Sequence, residues 1–126
     1  MKKEELFRWV KNTYGIEPDY PFSEDDSAVL RHEDNRKWFG LVMHITGDKL
    51  GLKSRAAVDV LNVKCDPIMI YVLCQQNGFY PAYHMNKQHW VSVLLDGSVK
   101  AEEIKPVLDR SYELTKCKKG KNTGGL

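Results

Sequence analysis

Two histidines, an asparagine–lysine pair and a tryptophan crowd into one short stretch, at His84, Asn86-Lys87 and His89-Trp90. Histidine is the side chain most readily tuned near neutral pH, and lysine meets a phosphate as a point charge. His84, Lys87 and His89 together could hold a metal or an anion, or pass a proton. A metal is disfavoured because no Asp, Glu or Cys stands between Pro81 and Leu95 to complete a ligand set. No metal and no cofactor are therefore expected, and the histidines are read first as hydrogen-bonding groups. His89 and Trp90 are neighbours on an extended segment, so their side chains take opposite faces. Trp90 is expected in the core, with a base-stacking platform as its functional alternative.

The flanks of this stretch, Pro81 to His84 and His89 to Leu95, alternate as half-buried strands do, and Met85-Asn86-Lys87-Gln88 breaks the alternation. The pattern predicts a hairpin with its tip at those four residues. Asn86 is expected to take the left-handed turn conformation and Lys87 to project from the tip.

The succession His84, Asn86-Lys87, His89-Trp90 and Asp96-Gly97 resembles the MmcQ/YjbR family. The likeness extends through Pro21-Phe22, Lys37-Trp38-Phe39, Val63-Lys64-Cys65-Asp66-Pro67 and Ser111-Tyr112, covering about residues 1 to 115. It implies a YjbR-like (CyaY-like) fold and DNA binding through a double wing, and it brings no established catalytic residues.

A chain of 126 residues suits one domain able to bury a core without a metal or disulfide. We expect a single domain over residues 1 to 115, followed by a basic, disordered tail from Lys116. The charged N-terminus has no apolar h-region, and no segment approaches the length of a membrane span. Cys65, Cys74 and Cys117 cannot all pair and form no Cys-x-x-Cys unit, which suits a reducing compartment. A cytoplasmic protein is expected. Charge is uneven: residues 1 to 26 carry −3, 27 to 100 carry +3, 101 to 115 carry −2 and the tail +4. Any DNA-binding face must therefore be a local patch on the middle segment.

Helical spacing of Leu6, Phe7, Val10 and Tyr14 predicts a helix over 3 to 14, closed by Gly15. Strands are predicted at Ala28 to His32, Lys37 to Ile45 and Ala56 to Lys64. In the second, Phe39, Leu41, Met43 and Ile45 are expected on one face, with Trp38, Val42 and His44 on the other. Between the second and third strands, Thr46 to Ser54 reads as an extended loop bearing Lys49 and Lys53, with Arg55 beside it, the first candidate wing. Asp66-Pro67 begins a helix capped by Asp66, with Ile68, Met69, Val72 and Leu73 as its buried stripe and Asn77-Gly78 as its stop. The second hairpin follows, and then a final helix capped by Ser98. The order α-β-β-β-α-β-β-α makes an α+β, two-layer sandwich with a largely antiparallel sheet.

Ser111-Tyr112 is no nucleophile motif, since Ser111 lies inside a predicted helix with no nucleophile elbow around it. The leading expectation is a non-enzymatic, monomeric DNA-binding protein. Its contact residues would be Lys49, Lys53, Arg55, Lys64, His84, Asn86, Lys87 and His89, and the lysine-rich tail is read as a solvated segment with a nucleic-acid arm as its functional alternative. The alternative is a protein-interaction or chaperone-like adaptor using Trp38, Tyr80 or Tyr83. A third possibility, a small-molecule pocket, requires His84 and His89 to converge with Lys64 or Tyr83.

Overall fold

The computed structural model describes residues 1–117; Lys118, Lys119 and Lys121 of the tail lie outside them. Its elements are α1 (Lys3–Tyr14), β1 (Ala28–Arg31), β2 (Trp38–Thr46), β3 (Ala57–Lys64), α2 (Pro67–Leu73), β4 (Phe79–Pro81), β5 (Trp90–Leu94) and α3 (Ala101–Thr115). The strands form one sheet in the order β1-β2-β3-β5-β4, every neighbour antiparallel. This is the expected α+β architecture. Gly15 ends α1 at φ 70°, a conformation that costs glycine little, and its N–H returns to the Lys11 carbonyl.

The helices cover one face of the sheet. Leu6 and Val10 of α1 and Ile104 and Leu108 of α3 close over Leu30, Phe39, Leu61, Val63, Val91 and Val93 in one continuous core. A second, smaller cluster occupies the opposite face: Val29, Leu41 and Met43, with Trp38, Ile45, Tyr83 and Met85 packed against them.

The partition of β2 between these faces differs from simple alternation. Phe39 joins Val42 in the helix-side core, while Leu41 and Met43 face the other way with Trp38. The cause is a register irregularity: Leu30 pairs with Gly40 but Arg31 pairs with Trp38, so Phe39 is the extra residue of a bulge. Gly40 fits the bulge because a Cβ there would stand 2.9 Å from Leu30 Cδ1.

Ser111 repairs the ladder beside this bulge. Its hydroxyl donates to the Phe39 carbonyl at 2.7 Å and accepts the Lys64 N–H at 2.8 Å, bridging β2 and β3 just beyond their last pair, Leu41 with Asn62. A serine of α3 thus completes the sheet's hydrogen bonding.

Three expected helix signals act differently. Asp66 gives α2 no side-chain cap; its carboxylate takes Arg110 at 3.0 Å instead. Alpha-2 ends at Leu73 rather than at Asn77-Gly78, and turns carry the chain to Gly78 at φ 93°. Ser98 donates to Asp96 in the turn before α3, which begins at Ala101, with the Glu103 carboxylate accepting the Lys100 N–H at 3.4 Å.

Candidate functional site

The hairpin stretch from Ala82 to His89 does not stand out from the sheet as a wing. After Pro81 the chain folds back over the open face, where Asn62 of β3 and Ser92 of β5 are directly paired, fully buried polar residues. Asn62 Nδ2 donates to the Tyr83 carbonyl at 2.8 Å, and the Tyr83 N–H donates to Ser92 Oγ at 3.0 Å. Ser92 in turn donates to Asn62 Oδ1. Each buried polar atom of the trio has a partner, so the loop is fastened by satisfied hydrogen bonds rather than by packing alone. Tyr83 and Met85 then press onto Val29, Leu41 and Met43.

The left-handed residue in this loop is His84, at φ 61°, rather than Asn86. Asn86 organises its turn through hydrogen bonds. Its Oδ1 accepts the Gln88 N–H at 2.8 Å, while its carbonyl accepts those of His89 and Trp90.

The eight residues expected from sequence fall into three groups. His84 lies against Tyr83, the rings tilted by 40° with centroids 3.8 Å apart, and borders a cavity of about 220 Å³ with Asp25, Asp26 and His44. His44 is itself paired across strands, its Nδ1 standing 2.8 Å from Asp59 Oδ1. His84 therefore sits in an acidic neighbourhood, unsuited to a phosphate.

Lys64, Asn86, Lys87 and His89 gather at the end of the sheet where β3 finishes and β5 begins. Lys64 pairs with Trp90, and the Cys65 N–H donates to the His89 carbonyl at 2.8 Å. Lys37 lies at the same end, two residues before Phe39, whose carbonyl shares the Ser111 hydroxyl with Lys64. Parity along the strands places Lys64 and Trp90 on the open face with Asn62 and Ser92. Trp90 is half-buried, between the expected core position and an open platform; Lys37, Lys87 and His89 are exposed. Of the acids nearby, Asp66 is held by Arg110, and Asp34 accepts the Asn35 N–H.

Lys49, Lys53 and Arg55 occupy the connection from β2 to β3, at the opposite end. Seven residue steps separate Ala57 from Lys64, so the two groups are about 23 Å apart along β3. That connection is compact rather than extended: Gly47–Leu50 form a 3-10 turn, and Arg55 Nε lies 3.9 Å from Asp48.

His84 and His89 accordingly do not converge on one pocket. Among the described residues, no three His, Cys, Asp or Glu side chains are grouped to hold a metal. Burial raises the pKa of the Cys65 and Cys74 thiols, which keeps them protonated and poorly nucleophilic.

The predicted buried stripe of α2 holds at Leu73 but fails at Ile68, Met69 and Val72. Ile70 and Leu73 are buried, whereas Ile68, Met69, Tyr71 and Val72 are exposed. Most of the large exposed hydrophobic side chains among the described residues are on this helix, with Tyr20 and Phe22 elsewhere, whereas Trp38, Tyr80 and Tyr83 are half-buried.

Sequence reading missed Asn62 and Ser92 as an anchoring pair. The signal available was a polar residue set between apolar neighbours in each of two strands, at Leu61-Asn62-Val63 and Val91-Ser92-Val93.

The YjbR family profile matches residues 3–114. The chain belongs to the YjbR family. The Bacillus subtilis protein YyaQ is 39% identical over 117 residues, spanning 92% of this chain and 99% of YyaQ. The Escherichia coli K12 protein YjbR is 36% identical over 63 residues, 49% of this chain and 51% of its own. A Pseudomonas syringae crystal structure superposes with TM-score 0.89 at 39% identity, covering 92% of this chain and 100% of that one. A Deinococcus radiodurans crystal structure gives TM-score 0.68 at 28% identity, covering 90% and 78%. The names of these relatives assign no activity. No helix among the described residues is long and apolar enough to cross a membrane.

Proposed function

We propose that this YjbR-family chain is a non-enzymatic DNA-binding protein whose principal contact is the sheet end bearing Lys37, Lys64, Lys87 and His89. The observation that carries the reading is the pairing of Lys64 with Trp90, which sets a cation beside an indole at that end. Lysines contact phosphates without reading sequence, and an aromatic ring beside them accepts a base or sugar face. Asn86 shapes the turn that presents Lys87, and His89 adds a donor. Lys49, Lys53 and Arg55 form a separate, weaker contact, reached only by a duplex lying along β3. His84 has a structural role, its ring against Tyr83 and its backbone reversing the loop.

The family's double wing is thus read here as one dominant site and one accessory loop. Binding by such a surface is salt-sensitive and tolerant of sequence. The test is a fluorescence-anisotropy titration of a labelled duplex over a salt series. Lys87→Ala should weaken binding equally across sequences and lower the salt slope by about one unit. An unchanged slope removes Lys87 from the interface.

A further inference from the structure

Alpha-2 faces outward with its apolar side. Ile68 is 81% exposed, Met69 46%, Tyr71 70% and Val72 47%. At 100° per residue these four side chains share one continuous helical face, with Ile70 and Leu73 opposite it in the core. Their exposed surface amounts to roughly 500 Å², as much as the largest apolar patch a typical monomer leaves open. Beside the face lies an apolar groove of about 480 Å³ lined by Pro67, Ile70, Tyr71, Cys74 and Pro81, with Lys87 at its rim.

The charge pattern says what suits this surface. In a chain that is 29% charged, no Asp, Glu, Lys or Arg occurs from Pro67 through Asn86. A partner of unlike kind is commonly selected by opposite charge, and this face offers almost none. A symmetric contact has a different requirement, because each residue near the axis meets its own copy and any charge there meets a like charge. A projecting apolar face adjoining an apolar groove also satisfies self-complementarity, since the projection of each copy can enter the groove of the other.

We infer that α2 is a homodimer contact, in which Ile68 and Tyr71 of one chain pack against the α2 groove of a second copy. This revises the expected monomer and goes beyond the DNA reading, since it uses the face of α2, which meets the basic sheet end only at Lys87. The helix face alone falls short of the about 800 Å² per partner of a standard interface, so the dimer is a weak one. Lys87 at the groove rim would bring the two basic sheet ends near the dimer contact.

Sedimentation velocity on the full chain between about 1 μM and 1 mM tests this. The expected result is a mass rising toward twice the monomer, with Ile68→Glu and Tyr71→Glu each weakening association at least about tenfold. Both side chains are exposed, so the variants should keep the wild-type circular dichroism, and Lys49→Glu at the far end should dimerise normally. A wild-type chain that stays monomeric throughout overturns the inference. So does a dimer that both variants leave intact.

Discussion

Asn62 and Ser92 face each other across β3 and β5, fully buried, and together hold both polar backbone atoms of Tyr83. Removing one member strands the others. Ser92→Ala leaves Asn62 Oδ1 and the Tyr83 N–H without partners, at a cost of about 1–3 kcal/mol for each buried group left unmatched. Chemical denaturation should show that cost, and hydrogen exchange at Tyr83 should accelerate while exchange in α1 and α3 follows global stability. Equal protection of the Tyr83 amide in both proteins would mean that packing by Tyr83 and Met85 fastens the loop by itself.

Ser111 is predicted to matter as a sheet residue that happens to reside on a helix. Its hydroxyl serves the Phe39 carbonyl and the Lys64 N–H, both beside the β2 bulge. Ser111→Ala should cost about 1–3 kcal/mol by urea denaturation, with Ser111→Cys recovering little of it because a thiol is a weak hydrogen-bonding group. A change under about 0.5 kcal/mol, typical of a neutral surface substitution, would show that the bridge contributes nothing to stability.

His32 makes stability depend on pH. It is buried between Phe39 and Tyr112, with Nε2 2.8 Å from Thr115 Oγ1. Thr115 gives its own proton to the Ser111 carbonyl, so Nε2 is the donor to Thr115 Oγ1. Burial lowers the pKa of His32, more strongly than the acids Asp34 and Glu113 raise it. The unfolded chain therefore binds a proton near pH 6.5 that the folded chain refuses until lower pH. This contribution to stability is complete above the unfolded value and is lost as pH falls from about 6.5 through the depressed folded value. Thermal melts from pH 7.5 to 5 should fall more steeply for the wild type than for His32→Gln; parallel curves would mean that other groups set the dependence.

Much of this fold was legible from residue pattern. Period-2 alternation located β2, β3 and β5, while Gly15 and Pro67 marked helix ends, because those signals are local. The misplacements have non-local causes. Nothing near Phe39 announces that Arg31 will pair with Trp38, so the bulge and the face of Leu41 were hidden. Apolar residues throughout α2 let the pattern place Leu73 inward but also Ile68, Met69 and Val72, because nothing local says which side of the helix meets the β4 edge. Asp66 looked like a cap until Arg110, 44 residues away, took its carboxylate. The candidate site was legible as residue types but not as a place. Only the strand register separates Lys64 and Lys87 from Lys49 and Lys53, and sends His84 toward Asp25 and Asp26.

Comparing the two ends of the sheet in one assay decides whether one of them carries DNA binding. Salt-dependent anisotropy titrations would be run on the full chain and on residues 1–117, each with Lys64→Ala/Lys87→Ala or Lys49→Ala/Lys53→Ala. Binding should persist without the tail, and the first double variant should reduce the salt slope by about 1.8, because two phosphates are no longer neutralised. The second double variant should change the slope by less than half as much. Binding that vanishes with residues 118–126, or a slope that responds only to Lys49 and Lys53, would contradict a principal site at Lys64 and Lys87.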